Sequence, residues 1–159
     1  MEEGDGLMSR RELIGGVTAA LAAVVLSMPV ASGQVAACTK TGTAGADAIT
    51  GTPQADILCG LAGNDRIVGL AGADDLRGDR GSDDLSGGPG NDILRGRRGN
   101  DFLLGGRGSD DLRGGRRADV LNSVDGVAGN DTVNGGLGTD TCRIDDGDTV
   151  LNCEEVIEV

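Results

Sequence analysis

Residues 87–95 read Gly-Gly-Pro-Gly-Asn-Asp-Ile-Leu-Arg, and residues 96–104 repeat the same arrangement of glycine, aspartate and one large apolar side chain. In both stretches the first and fourth places are glycine, the sixth is aspartate and the eighth is leucine. A fixed period of this kind is typical of repeat architectures, in which each unit packs mainly against its neighbours.

The period extends in both directions over most of the chain. Nine units run without a gap from Gly42 to Asn122, residues 123–125 interrupt them, and two further units follow at 126–134 and 135–143. The first place is glycine and the sixth is aspartate in all eleven units. Columns held this strictly over eleven periods exclude a chance pattern.

The remaining two columns tolerate few exceptions. The fourth place is glycine except at Gln54 and Arg117, and the eighth is Ile, Leu or Val except at Cys142. The pattern resembles the RTX, or haemolysin-type, calcium-binding repeat GGxGxDxUx, in which U is a large apolar residue. The resemblance covers residues 42–143. It implies an all-β fold, a parallel β-roll (right-handed β-solenoid), with several bound Ca²⁺ ions.

The main departure from that repeat is the second place. It is glycine only at Gly88, Gly106, Gly115 and Gly136. Whether this place needs a positive φ in every turn is left open, and some turns could be distorted.

Each unit is interpreted as a six-residue turn followed by a three-residue strand whose middle residue, at the eighth place, points inward. Two units make one coil, so residues eighteen apart become vertical neighbours in stacked parallel strands. The expected inward column is Ile49, Leu58, Ile67, Leu76, Leu85, Leu94, Leu103, Leu112 and Leu121.

The aspartates of alternate turns then line opposite edges of the stack. Stacked strands lie about 4.8 Å apart, and neighbouring carboxylates at that spacing repel each other by roughly 1–3 kcal/mol. A hard dication between two turns would remove the repulsion, and Ca²⁺ accepts six to eight flexible oxygen ligands. The candidate ligands are Asp47, Asp56, Asp65, Asp74, Asp83, Asp92, Asp101, Asp110, Asp119, Asp131 and Asp140.

Two alternatives to calcium can be weighed from the residue types. Zinc and copper are poor candidates, because the chain has no His and its cysteines lie at the ends of the repeat. The aspartates could instead only cap turns through their own backbone. Asn or Ser would cap equally well, yet neither replaces Asp in this column, which favours the metal.

Composition indicates that calcium takes part in folding. The chain has 30 Gly, one Phe and no Trp, Tyr or His, so a core rich in aromatic residues is excluded. One apolar side chain per unit offsets little of the entropy lost in ordering nine residues. The net charge of -12 leaves no basic excess for binding nucleic acid.

Residues 1–37 are predicted to be an export signal, because an uncharged apolar run at 13–28 closely follows the paired Arg10 and Arg11 and is followed by Pro29 and small residues. Arg10 and Arg11 resemble a twin-arginine signal, or form an ordinary charged n-region. The protein is therefore expected to be secreted, extracellular or at the cell surface, with no stable membrane span in the mature chain. A lipoprotein box ending at Cys38 is a further alternative.

The four cysteines lie in pairs at the two ends of the repeat. An even number in an exported chain suggests disulfides. Cys38–Cys59 would tie the incoming segment to the first coil, and Cys142–Cys153 would fold the tail back on the last unit. Four reduced thiols are the alternative. The domains are accordingly an export signal (1–37), a calcium-binding β-roll (38–143) and a C-terminal cap (144–159).

Three functions compete. A secreted calcium-binding protein with a structural or surface role comes first, and a calcium-dependent adhesin or a matrix- or glycan-binding protein comes second. A hydrolase is less favoured and no enzyme is expected, because the chain has no His and no Gly-x-Ser-x-Gly motif.

The later units are rich in arginine, which could bind an anionic cell-surface polymer or glycan, or balance nearby Asp. These arginines are Arg95, Arg97, Arg98, Arg107, Arg113, Arg116 and Arg117.

Overall fold

The structure is a computed structural model that describes residues 37–159. The predicted export signal, with Arg10, Arg11 and the apolar run at 13–28, lies outside the described residues except for Ala37. The described part of the chain is all β, and it contains no helix long and apolar enough to cross a membrane.

Fourteen short strands follow one another along the chain. They are β1 (Lys40–Thr41), β2 (Ala48–Thr50), β3 (Ile57–Ala62), β4 (Arg66–Val68), β5 (Asp75–Arg80), β6 (Asp84–Pro89), β7 (Ile93–Arg98), β8 (Phe102–Arg107), β9 (Asp111–Arg116), β10 (Val120–Asn122), β11 (Thr132–Leu137), β12 (Thr141–Ile144), β13 (Thr149–Leu151) and β14 (Glu155–Glu158).

The strands alternate between two parallel sheets of seven strands each. The first sheet has the order β1-β3-β5-β7-β9-β11-β13, and the second has the order β14-β12-β10-β8-β6-β4-β2. Leu58 is in register with Leu76, and Leu76 with Leu94, so vertical neighbours are eighteen residues apart. The predictions of a parallel β-roll and of two units per coil are confirmed.

The core consists of the eighth-place side chains, which form one column on each of the two sheets. All nine predicted members are buried, and eight of them, from Leu58 to Leu121, have no exposed surface. Val133 continues the column of the first sheet and Cys142 that of the second. Each unit therefore supplies one core side chain, which explains how a chain with one aromatic residue fills the core.

The strands at the centre of the stack are twice as long as expected. Strand β5, for example, has six residues rather than three, because it runs on through the first three places of the following unit. Its parallel pairing with β7 also continues there, with Asp79 opposite Arg97. The turn proper is thus reduced to the fourth, fifth and sixth places.

The second place adopts a positive φ in eight of the eleven units, whether or not it is glycine. The four residues other than glycine are Leu61, Leu70, Asp79 and Arg97, with φ between 75° and 84°. A left-handed conformation costs a residue with a Cβ roughly 1–2 kcal/mol. Stacking of the coils therefore imposes the turn geometry even where the sequence departs from glycine.

The interruption at 123–125 is accommodated without breaking either sheet. It lengthens the offset between paired residues from eighteen to twenty-one, so that Leu121 lies opposite Cys142. Ser123 is fully buried there, and its hydroxyl lies 3.0 Å from Oδ2 of Asp148. The tail beyond residue 144 then adds β13 to the first sheet and β14 to the second.

Both predicted disulfides are present, one at each end of the stack. Cys38 is bonded to Cys59 and Cys142 to Cys153, with Cα atoms 6.0 and 6.1 Å apart. No cysteine of the described residues is free. Because its sulfur is bonded to Cys59, Cys38 has no thiol available for a lipid.

Candidate metal centre

The sixth-place aspartates point into the stack at the two edges where the chain turns from one sheet to the other. Ten of the eleven predicted ligands are buried, and Asp47 in the first coil is half-buried. Buried carboxylates are uncommon unless they are paired with another charge or coordinate a metal. Their burial therefore calls for partners.

In nine of the eleven carboxylates, all those beyond the first coil, one oxygen has a partner in the preceding coil. Oδ1 of Asp65 accepts a hydrogen bond from the backbone N–H of Asp47 at 2.9 Å, and Oδ1 of Asp83 accepts one from Asp65 at 2.9 Å. The same bond repeats at every coil, and it links the eleven residues into two rows. The odd row contains Asp47, Asp65, Asp83, Asp101, Asp119 and Asp140. The even row contains Asp56, Asp74, Asp92, Asp110 and Asp131.

The other oxygen, Oδ2, has no hydrogen-bond partner in most of these carboxylates. Nine Oδ2 atoms are fully buried and accept no hydrogen bond from the described residues. They belong to Asp65, Asp74, Asp83, Asp92, Asp101, Asp110, Asp119, Asp131 and Asp140. An unpaired buried carboxylate oxygen is costly, and nine of them in two rows indicate a missing positive charge.

In ten of the eleven units the first-place glycine makes room for Oδ2 of the unit's aspartate, and Gly126 is the exception. A Cβ placed on Gly114 would lie 2.5 Å from Oδ2 of Asp119 and 2.7 Å from the carbonyl oxygen of Gly135 in the next coil. A Cβ on Gly78 would overlap Oδ2 of Asp83 in the same way. Neither glycine has a positive φ, so the first place is glycine because of this close approach rather than because of its backbone conformation.

The carboxylates differ from ordinary aspartates in their acidity. Burial raises the pKa most, the neighbouring carboxylate raises it further, and the backbone N–H bond opposes both effects. The pKa reaches about 6 at Asp83, Asp92, Asp101 and Asp110, and about 7 at Asp119 and Asp131. In the folded chain without a metal, these six carboxylates therefore take up protons between about pH 6 and about pH 7.

The first coil is different. Oδ2 of Asp47 accepts hydrogen bonds from the backbone N–H and the hydroxyl of Thr43, at 2.6 and 2.9 Å. Thr52 makes the same two bonds to Asp56, at 2.7 and 2.8 Å, and its hydroxyl is the main reason why the pKa of Asp56 is lowered. Both aspartates stay candidate ligands, but their second oxygen already has a partner.

Two tail residues that the sequence did not single out as ligands extend the rows. Oε2 of Glu154 accepts the backbone N–H of Asp140 at 2.8 Å, and Oδ1 of Asp148 accepts that of Asp131 at 3.2 Å. They lie 14 and 17 residues beyond the aspartates they follow, so the nine-residue period does not find them. The sequence feature that could have identified these two residues is that they are acidic and lie in a tail that resembles a terminal cap.

These groups fit Ca²⁺. The orphan Oδ2 and the first-place carbonyls are hard oxygens, the type that Ca²⁺ prefers, and they converge beside the glycine Cα. Within residues 37–159, no group of three acidic or cysteine side chains is placed to hold a metal ion by itself. An ion in these rows would therefore take its remaining ligands from backbone carbonyls, and would supply there the positive charge that the carboxylates lack.

The family comparison agrees with this chemistry. The family model described as "RTX calcium-binding nonapeptide repeat (4 copies)" matches in overlapping copies at residues 41–76, 50–85, 60–94, 86–121, 104–142 and 122–151. Comparison with curated proteins and with solved structures gave no match. The family matches jointly cover residues 41–151, well over half of the chain. The chain thus belongs to the RTX calcium-binding nonapeptide repeat family.

Proposed function

We propose that this protein is exported, and that its repeat folds when Ca²⁺ binds between the stacked turns, giving a rigid rod with a structural or surface role. The observation that carries the proposal is the set of nine buried Oδ2 atoms without a partner. The residues that would hold the ions are the aspartates of the two rows, together with the carbonyls of the first-place glycines.

Coupling of folding to binding follows from the thin core. One eighth-place side chain per unit gains little burial energy compared with the entropy lost in ordering the unit. The metal-free rows also place carboxylates in adjacent turns, stacked at about the 4.8 Å spacing of the strands. A ligand that binds only the folded form stabilises it by mass action, so calcium would shift the equilibrium towards the solenoid.

We infer a binding role rather than catalysis, because the buried carboxylates are accounted for as ligands. Their spacing follows the strand stacking along the whole length of both edges instead of converging on one cleft. An ion in each gap between turns would use them all in the same way.

Isothermal titration calorimetry of the exported protein tests the proposal. Calcium should bind with several ions per chain, and magnesium should compete poorly because it demands a tight octahedral shell. A chain that gives no binding heat with calcium, or that binds magnesium equally well, would contradict it.

With export, the repeat would be unfolded inside the cell and folded outside it. Extracellular calcium modules typically bind with dissociation constants of about 10⁻⁴–10⁻³ M, so the repeat is expected to fold outside the cell. Replacing Arg10 and Arg11 by lysine keeps the charge but should abolish twin-arginine recognition. Undiminished secretion of that variant would assign the general secretory route, and complete retention would assign the twin-arginine route. An unaltered N-terminus on a protein retained in the cytoplasm would contradict export.

A further inference from the structure

Three arginines form a vertical line on one edge of the solenoid. Arg80, Arg98 and Arg116 occupy the third place of three successive odd units, at the ends of β5, β7 and β9. Arg80 is in register with Arg98, and Arg98 with Arg116. Adjacent strands lie about 4.8 Å apart, so three guanidinium-bearing side chains leave the edge at that interval.

None of these three arginines is neutralised by the described part of the chain. The arginine ion pairs in residues 37–159 join Arg77 and Arg95 to Asp75, Arg97 to Asp79, and Arg113 to Asp111. Arg80, Arg98 and Arg116 are all exposed and have no acidic partner there. Like charges directly opposite one another on paired strands are destabilising, so the line has no evident structural benefit.

The arginine line borders a shallow groove of about 560 Å³. Asn64, Ser82 and Arg117 line the groove together with the three arginines. The amide and hydroxyl groups offer neutral hydrogen-bond donors beside the positive charges. The groove runs along the stacking direction, across four coils, and the three arginines lie in the last three of them.

The opposite edge provides an internal comparison. The third places of its units are Pro53, Ala71, Pro89, Arg107 and Ala128. Arg107 is therefore a single exposed arginine at the equivalent place, without arginines in the adjacent coils. The line is a property of one edge and not of the repeat.

We propose that the line Arg80–Arg98–Arg116 binds a linear acidic polysaccharide that carries a carboxylate on successive sugars. A pyranose unit in an extended chain is about as long as the spacing between stacked strands, so each carboxylate can meet one guanidinium. Arginine suits this role because its planar fork forms paired hydrogen bonds to a carboxylate. The same type of pair already occurs on this sheet, where Arg113 donates from both Nε and Nη2 to Asp111 at 2.9 and 2.6 Å.

A nucleic acid fits this groove less well. Binding of single strands relies on aromatic side chains on which the bases stack. The one aromatic residue of the chain, Phe102, lies in the second sheet, in strand β8, and not in the groove.

Binding should depend on the folded solenoid, because the line exists only when coils are stacked in register. The inference rests on the proposed function in one respect only: because calcium is proposed to be needed for folding, it should also be required for binding the polysaccharide. Calcium in the odd row would also neutralise the carboxylates behind the arginines and strengthen the attraction.

The test measures binding of a short linear oligouronate to the exported protein at saturating calcium, with far-UV circular dichroism on the same samples. Arg98→Gln should weaken binding by roughly threefold to tenfold, and the combined Arg80→Gln, Arg98→Gln and Arg116→Gln variant by more than about tenfold. The matched control Arg107→Gln, which removes the same charge from the opposite edge, should change it by less than about twofold.

Three results with the variants would overturn the site: a folded wild type that does not bind the oligouronate, an unchanged affinity in the triple variant, or an equal loss of affinity with Arg107→Gln. Two results with other ligands would also overturn it. These are equal binding of the oligosaccharide after its carboxylates are reduced to alcohols, and tighter binding of single-stranded DNA. A chain that is already folded in chelator would contradict the proposed function instead, and binding measured in chelator would then still test the arginine line.

Discussion

Oε2 of Glu154 accepts a hydrogen bond from the backbone N–H of Asp140 at 2.8 Å, the same bond that each aspartate makes to the aspartate of the preceding coil. A tail residue thus takes the place of a further repeat. Cys153, its immediate neighbour, is bonded to Cys142 in the last unit. The disulfide therefore holds the residue that completes the odd row.

Glu154→Gln tests this relationship. Glutamine keeps an oxygen that can accept the Asp140 N–H but removes the charge, so the midpoint of calcium-induced folding should rise by roughly fivefold. Glu158→Gln removes the same charge from an exposed residue of β14, the strand that follows Glu154, and is the control. Equal midpoints for the two variants would contradict a role for Glu154 in the row.

The position of an aspartate along its row should decide how much it contributes to calcium binding. Sequence alone suggests that Asp140 is a peripheral member, but Glu154 follows it, and the weak end of the odd row is Asp47 beside Thr43. Asp83→Asn should raise the calcium midpoint roughly tenfold, and Asp47→Asn by less than about twofold. Calorimetric titration of both variants checks the ranking, and the reverse order would refute shared ligation in the interior.

The first-place glycines can be tested against a glycine in an open position. A Cβ on Gly78 would overlap Oδ2 of Asp83, whereas the atom closest to a Cβ on Gly45 is the Thr43 hydroxyl, at 3.9 Å. Gly78→Ala should destabilise the calcium-bound fold by about 1–3 kcal/mol. Gly45→Ala should be close to neutral. Thermal unfolding in calcium measures both, and equal melting temperatures would be evidence against the close approach.

The response to pH should differ with and without calcium. Burial raises the pKa of Asp83 to about 6 and that of Asp119 to about 7 in the folded, metal-free chain, above the ordinary value of 3.8. Between about pH 4 and about pH 7, the folded state therefore binds more protons than the unfolded state. Its calcium-free stability is greatest at low pH, and it falls as pH rises from about 4 to about 7.

Protons and calcium compete for the same oxygens of the folded chain, so calcium should add less β signal at about pH 5 than at about pH 8. Circular dichroism in chelator and in calcium, at about pH 5 and about pH 8, measures both effects. A calcium-free signal that weakens on acidification from about pH 8 to about pH 5, or a larger gain in β signal with calcium at the lower pH, would show that the rows are not the titrating groups.

The fold could be predicted because it depends on strictly periodic residues. Leu94 lies in the core and Asp92 in a row because every coil imposes the same environment at those places. Glu154 was missed because its contact with Asp140 is not spaced by the repeat. Thr43 was missed because its hydroxyl acts locally, satisfying one carboxylate oxygen through a turn that only the first coil adopts.

The long central strands were missed for a related reason. The first three places of a unit suggest a turn by composition, since the first is glycine. Pairing with the adjacent coil nevertheless extends them, as the register of Asp79 with Arg97 shows. Backbone hydrogen bonding between coils is thus stronger than the local preference, and that effect is not visible within a single unit.

Far-UV circular dichroism of the protein without residues 1–37 during a calcium titration is the most direct test of calcium-dependent folding. At neutral pH in chelator, the nine orphan carboxylate oxygens should leave the chain largely unfolded. Calcium should produce a β spectrum in a cooperative transition, and chelator should reverse it. A chain with the full β spectrum in chelator, unchanged on adding calcium, would contradict the claim that these rows need the ion to fold.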